Sequence, residues 1–419
     1  MGLAAADDWA VIVAGSNTYD NYRHQADACH AYQIVKKFGI PDSRVIMMYY
    51  NDIAHNVENP YKGKIFNKPT PAGTPGVDVY EGCPQHYTGR NVTVEKFTAV
   101  LTGDEKAAQG LPVLKSTEND RVFVNFVDHG ATGIIAFPVG EMTSKQLKTA
   151  LTTMSTKKMF SKLVFYLEAC ESGSMFQGVL DPSLGIYATT AANAVESSWG
   201  TYCPPDDKVD GKELNSCLGD LYSINWMENA DQVGKDETLQ DQYTIVKKLT
   251  TKSHVMQYGN LSYTSDPIGN FLGDTQKVAP APVPQEEARS SSNVRSRDIP
   301  LHLAYYRYLR ADHSQFEARQ ALAKTLQAQL TAQVEADQFF MTLSEKLTLD
   351  KEKAMSLYIA PSPANSFDCG SCCVESREAY KKYCGGFTDY SLQYVRVLTN
   401  ACSMASEEHI VGLIKDMCQ

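Results

Sequence analysis

Short, nearly uninterrupted apolar runs mark the first two-thirds of the chain. They are Trp9–Ala14 (WAVIVA), Arg44–Tyr50 (RVIMMYY), Val122–Val127 (VFVNFV), Leu163–Leu167 (LVFYL) and Ile186–Thr190 (IYATT). A strand that is apolar at every position, rather than at alternate ones, is buried on both faces. Helical stretches separate these runs, the first over residues 24–38. The pattern predicts an α/β domain with a mostly parallel sheet flanked by helices. Residues 51–92, rich in Gly, Pro and Asn, predict a surface excursion.

The pattern then breaks. Residues 277–300 contain Lys277–Pro284 (KVAPAPVP) and Ser290–Asn293 (SSSN), have no periodicity and read as an exposed linker. Beyond it Leu322, Leu326, Leu330 and Val334 recur every four residues, a stripe expected of an amphipathic helix. A chain of 419 residues suits two domains. The expected division is a catalytic-type α/β domain over 7–276, a linker over 277–300 and a small all-helical domain over 301–419.

Composition narrows the function. No apolar run reaches the roughly 18 residues needed to span a bilayer, so no membrane segment is expected. A formal charge of −10 argues against a nucleic-acid partner. Six of the eleven cysteines (Cys369, Cys372, Cys373, Cys384, Cys402, Cys418) fall in the last 51 residues, a density that indicates disulfide stapling in an oxidising compartment. The sequons at Asn91 and Asn260 point to the secretory pathway as well. The N-terminus lacks a signal peptide, so a removed signal is the expectation. Cys369-Gly-Ser-Cys372 lacks the strand-to-helix setting of a redox motif, and no further Cys or His stands at zinc-site spacing. No metal or other cofactor is expected.

Two apolar runs end in reactive residues. Val122–Val127 leads into Asp128-His129-Gly130, and Leu163–Leu167 into Glu168-Ala169-Cys170. Functional groups of open parallel sheets gather past the carboxyl ends of strands. An imidazole beside a thiol raises its thiolate fraction, which makes Cys170 and His129 a candidate nucleophile–base pair. The N–H groups of Gly130 and Cys170 would then suit an oxyanion hole. The plainer alternative for a strand-end cysteine is a small buried apolar group.

Longer motifs decide between these. The segment Ala14–Cys29, with Asn21-Tyr22-Arg23-His24-Gln25-Ala26-Asp27, resembles the legumains, or asparaginyl endopeptidases. So do Asp128–Gly130, Glu168–Ser174, Ala188–Ala192, Glu196–Ser198, Leu218–Asp220 and Ser253–Gly259, in order over about residues 8–275. Trp199–Pro204, with Cys217 following, is similar to the plant-type branch. The resemblance implies a caspase-like fold, a Cys170–His129 dyad and an Asn21 that orients the histidine. It places the pocket for the residue before the cut (S1) on Arg23, His24, Glu168, Ser198 and Asp220. A site with donors and acceptors on opposite walls suits the asparagine side chain, and it suits aspartate once that is protonated in acid. Asp128 matches a position that can cyclise to a succinimide.

The same resemblance implies a self-inhibited precursor. Residues 301–419 match a death-domain-like pro-domain stapled by Cys372–Cys402 and Cys384–Cys418, and Cys203–Cys217 would pin a substrate loop. Cys29 has no obvious partner and is expected to be a buried thiol. Cys369 and Cys373 would pair with each other or with Cys83. Activation cleavage is expected at Asn293, with Asp298 and Asp274 as acid-dependent candidates. The expected partners are peptide or protein substrates, the chain's own pro-domain and cystatin-type inhibitors, in a lysosome, a vacuole or outside the cell. Peptide ligation through the same thioester is the alternative activity, disfavoured by Gly200 beside the pocket. A non-catalytic binding protein is the alternative of another class.

Overall fold

The computed structural model describes residues 6–273, 292–359, 367 and 370–419. The apolar runs form strands β1 (Asp8–Ala14), β2 (Val45–Met48), β3 (Arg121–Val127), β4 (Lys162–Glu168) and β5 (Ile186–Thr190), joined by β6 (Met256–Gly259). Their order across the sheet is β6-β5-β4-β3-β1-β2, with β6 antiparallel to β5 and the other pairs parallel. This is the caspase-like arrangement expected. β6 was not foreseen, because MQYG carries no apolar run.

Both faces of the sheet are covered, which is why its strands are apolar throughout. Ala10, Ile12 and Phe123 point into one core with Tyr22, Ala26 and Trp226, from helices α1 (Tyr22–Phe38) and, further along the chain, Leu221–Gln232. Val11, Val13, Val122, Val124 and Phe126 point into the other with Phe97 and Leu147, from α2 (Val94–Thr102) and α3 (Ser144–Thr156). The helix Leu221–Gln232 is α4.

The C-terminal part is helical: α5 (Ile299–Arg310), α6 (Phe316–Thr348), α7 (Ser371–Cys384), α8 (Val395–Ala401) and α9 (Glu407–Met417). Phe340, Leu343, Tyr380, Leu398, Ile410 and Ile414 form its core. Cys372–Cys402 and Cys384–Cys418 are bonded as expected. The periodic stripe lies on α6, but Leu330 and Val334 remain exposed, so this part of it packs into no core.

Three expectations change. Cys29 is not a free thiol: it bonds to Cys83 and ties the 51–92 excursion to α1. This pairing also takes Cys83 from the tail cysteines. Cys373 is disulfide-bonded, and Cys369 lies outside the described residues. The linker is not exposed throughout. Val294–Arg295 adds a strand to Trp199–Gly200, and Ser296 and Arg297 are buried.

Cys29 and Cys83 stand 54 residues apart, a long loop for a cross-link to close. Replacing both by serine should cost about 2–4 kcal/mol of stability. A lowered melting temperature, with peptide mapping of the linked pair in the parent chain, checks this. Recovery of Cys29 as an alkylatable thiol in the native parent would refute it.

Candidate active site

Register explains why distant residues meet. β3 lies between β1 and β4, with Ala14 opposite Val127 and Val127 opposite Glu168. The three chains therefore leave the sheet at one edge. β1 leads to Asn21 and the first turn of α1, β3 to Asp128-His129-Gly130, and β4 to Cys170. The chains run so close that a Cβ on Gly130 would stand 2.4 Å from the Cys170 carbonyl oxygen, which only glycine avoids.

His129 Nε2 lies 2.8 Å from Asn21 Oδ1. Asn21 Nδ2 donates to the Asn17 carbonyl, which fixes the orientation of its amide. A bond to Oδ1 requires the proton on Nε2, leaving Nδ1 as the basic atom of the ring. Burial is the main force pushing His129 down, to about 4; Arg23 and Arg297 add to it and Asp389 opposes it. Cys170 is buried, its Sγ 3.2 Å from Ser197 Oγ and 3.5 Å from Ser198 Oγ. Among the described residues, no hydrogen bond joins Cys170 to His129 in this covered form.

The expected pocket residues also converge. Arg23 Nε donates to Asp220 Oδ1 at 2.9 Å. Glu168 Oε2 accepts from the backbone N–H and the hydroxyl of Ser223, each at 3.0 Å. His24 packs edge-on against His129 and bonds through Nδ1 to Ser16, with Asp128 and Asp220 each 3.5 Å from its ring nitrogens. Burial holds His24 well below the usual histidine range and raises Glu168 and Asp128 well above the carboxylate range. Asp220 is raised less, because Arg23 opposes burial there. Among the described residues Asp128 Oδ1 and Oδ2 have no hydrogen-bond partner, and neither do three atoms of the expected pocket: Arg23 Nη2, Glu168 Oε1 and Asp220 Oδ2. These three are one donor and two acceptors, and their side chains are 1% exposed.

The segment expected to be a linker crosses this site. Ser296 N–H donates to the Ser198 carbonyl at 3.0 Å, continuing the ladder of Val294 with Gly200. Arg297 Nη2 donates to Glu171 Oε2 at 2.5 Å and to the Gly130 carbonyl at 2.7 Å. The helical domain adds Asp389, whose Oδ2 stands 3.6 Å from His129 Nε2, and Arg396, which donates to the Val195 carbonyl at 2.6 Å. Val395 packs on Ala131 and Ile134 beside the histidine turn, while Ile299 and Leu303 pack on Cys203–Cys217, which is bonded as expected.

Sequence reasoning missed Ser197, Ser223, Arg297 and Asp389, for which local spacing held no signal. It quoted Asp27 without a role, although that residue lies one helical turn beyond Arg23 on the same face. Asn293 and Asp298 flank Ser296, and Asp274 lies outside the described residues. Asn91 is exposed and Asn260 half-buried, the latter accepting from the Ser262 N–H.

A thiol and an imidazole at adjacent strand ends, beside a charged pocket, define a cysteine endopeptidase. The chain belongs to the Peptidase C13 family, whose model matches residues 8–274. It is 39% identical to the vacuolar-processing enzyme delta-isozyme of Arabidopsis thaliana, over 98% of this chain and 90% of that one. It is 39% identical to legumain of Homo sapiens, over 97% and 92%. Caspase-1 of Spodoptera frugiperda, at 11% identity and a TM-score of 0.37, covers 65% of this chain and 92% of its own. At that level the fold rests on the strand order itself.

Asn21 contacts the ring of His129, and an orienting role there is testable. Asn21→Ala in the activated enzyme should lower kcat by about tenfold, less than removal of an acid–base group, and leave KM unchanged. Nitrogen NMR of the imidazole should show loss of the Nε2–H preference. An unchanged tautomer and kcat would refute the role.

Proposed function

We propose that this peptidase cleaves after asparagine and is made as a precursor covered by its own C-terminal region. The unpaired trio of Arg23 Nη2, Glu168 Oε1 and Asp220 Oδ2 carries this reading. An asparagine amide offers one acceptor oxygen and two N–H donors, the complement of that trio. Its burial repays polar groups that otherwise lie unpaired, whereas an apolar side chain leaves them so. An ionised aspartate brings a negative charge against Asp220 and offers no N–H to the unpaired Glu168 and Asp220 oxygens. Once protonated it resembles asparagine.

The chemistry then follows the dyad. His129 Nδ1 accepts the Cys170 proton, and the thiolate attacks the peptide carbonyl, with the Cys170 and Gly130 N–H groups facing the oxyanion. The carbonyl re-forms as a thioester, and the leaving amine takes the proton from His129. Water, deprotonated by the same nitrogen, attacks the thioester and returns the thiol. Asn peptides should be cut at both about pH 5 and about pH 7, Asp peptides only at the lower value, and Cys170→Ala should cut neither. Equal cleavage of both peptides at about pH 7 would sink the assignment.

Ser296 stands in the register of the residue before the cut, its N–H on the Ser198 carbonyl. A serine is too short, and lacks the amide, to satisfy the trio, so the segment fills the groove without suiting the chemistry. Asn293 lies three residues upstream, and cutting after it requires the segment to leave this register. The pro-domain of this reading is residues 301–419, with 292–300 docked into the groove ahead of it. Cystatin-type inhibitors would compete for the same groove once it opens. The name of the vacuolar-processing enzyme supports a vacuolar setting, and a lysosome is the corresponding acidic compartment of the proposal.

Acid opens this form through buried bases. His302 on α5 donates from Nε2 to the Pro204 carbonyl at 2.8 Å, and burial lowers its pKa, opposed by that bond and by Asp207. Arg310 and Tyr306 are the other charged or titratable groups beside it. His129 is lowered in the same direction. A base whose pKa is lowered by docking resists a proton that the undocked form accepts. Docking therefore weakens as pH falls below about 6.5, by at most about 1.4 kcal/mol per unit and group. His302→Gln keeps an N–H donor without the titration, so release of the C-terminal region should move to lower pH, read by size exclusion of Cys170→Ala chains cut in the linker. An unchanged or raised release pH would refute His302 as a contributor.

A further inference from the structure

Helix α1 places one more carboxyl beneath the pocket. Asp27 is fully buried. Its Oδ2 accepts the Asp220 backbone N–H at 3.1 Å and its Oδ1 accepts Asn67 Nδ2 at 2.7 Å. Among the described residues no cation bonds to it. Asp220 and Glu168 face it from the other elements, and Arg23 stands beyond Asp220. His24 on its own helix is held neutral by burial. His30 lies across Asn67, bonded to Asn67 Oδ1 and to Asp231.

Charge counting limits what this cluster can be. Asp27, Glu168 and Asp220 are nearly inaccessible, and Arg23 is the one guanidinium bonded among them. Three ionised carboxyls against one cation, out of water, cost more than the pair returns, so the cluster binds protons instead. The Asp27 and Asp220 carboxyls are within hydrogen-bond reach of each other, a bond that exists only when one carries a proton.

We propose that Asp27 is a positioning residue of the pocket: it keeps its proton, donates it to the Asp220 carboxylate and, with its second bond to the Asp220 backbone, aims Asp220 at the substrate amide. This rests on reading Arg23, Glu168 and Asp220 as the asparagine pocket. The proton belongs on Asp27 because Asp220 has Arg23 to hold its charge, whereas burial and Asp220 itself push Asp27 well above the carboxylate range. Asp220 thereby stays ionised as an acceptor. When Asp27 ionises, two carboxylates face each other and Asp220 turns from its aim, so KM for Asn peptides rises on the alkaline side.

The test uses the full chain, activated by its own processing. Asp27→Asn cannot ionise and can still donate to Asp220. It should keep kcat within about twofold at acid pH and move the alkaline rise of KM up by about one pH unit or more. Asp27→Ala, which strands the Asp220 N–H and carboxylate, should raise KM about tenfold with far less change in kcat. An Asp27→Asn profile that overlays the parent's would overturn the proposal. Should either variant process poorly, infrared spectra of full-length Cys170→Ala supply a second reading. A protonated-carboxyl C=O band at neutral pH should vanish on adding Asp27→Asn, and its persistence would also overturn the proposal. Asp220→Asn separates the two levels. If it leaves discrimination between Asn and Asp intact, the pocket reading fails. If discrimination collapses while Asp27→Asn matches the parent, the Asp27 role alone fails.

Discussion

The ion pair of Arg23 with Asp220, 2.9 Å long and 1% exposed on each side, is the constraint around which this active site is arranged. Taking both groups out of water is expensive, and one salt link does not repay it. The fold supplies the remainder by geometry. Arg23 sits in the first turn of α1, at the edge where β1, β3 and β4 end, and Asp220 arrives at the start of α4. Asp20, Asn21 and Asp27 add hydrogen bonds around the pair. One donor and two acceptors of Arg23, Glu168 and Asp220 stay unpaired among the described residues. On the proposed reading they select a ligand with the opposite pattern.

How much of this is written locally in the sequence differs by element. The buried strands are legible, because burial on both faces forces an apolar residue at nearly every position, as in VFVNFV. The edge strand MQYG is not, since it is half-buried along its length and needs no such run. Placing Cys170 and His129 at strand ends makes them candidates from pattern alone. Arg23, Glu168, Asp220 and Ser198 come from four separate segments, and no periodicity connects them; only the family resemblance did. The Cys29–Cys83 bond and the docking of Val294–Arg295 depend on which surfaces tertiary structure brings together. A segment such as SNVR carries no apolar run, because it is held by main-chain pairing of Val294–Arg295 to the edge Trp199–Gly200.

The segment over the groove pairs through its main chain with Trp199–Gly200 and adds side-chain contacts beyond that ladder. Arg297 bridges Glu171, the Gly130 carbonyl and the Asp389 carbonyl, so one cation links both halves of the catalytic edge to the helical domain. Arg307 and Arg310 on α5 repeat the device further out, paired with Asp20 and Asp207. Lys381 pairs with Glu141 at 2.7 Å beside the histidine turn. Apart from Asp389 at His129, these contacts are cationic on the covering side although the region as a whole is not. Residues 301–419 hold 12 Lys and Arg against 14 Asp and Glu, leaving −8 of the total −10 for residues 1–300.

That charge distribution constrains how acid can act. Both parts are net negative, so protonating carboxylates at large reduces their repulsion and favours docking. Glu171 is ambiguous in itself. Burial raises its pKa, which favours the docked form in acid, while Arg297 and Arg396 pull the other way. Exposed interface pairs such as Lys381–Glu141 do weaken when the carboxylate is neutralised, but each is worth little. The proposed activation therefore rests on bases rather than carboxylates: burial lowers both His129 and His302, against Asp389 at the first and the Pro204 bond and Asp207 at the second. On the proposed activation, the step that exposes the dyad would also return its base toward the ordinary histidine range, so that opening and competence for catalysis would become one equilibrium.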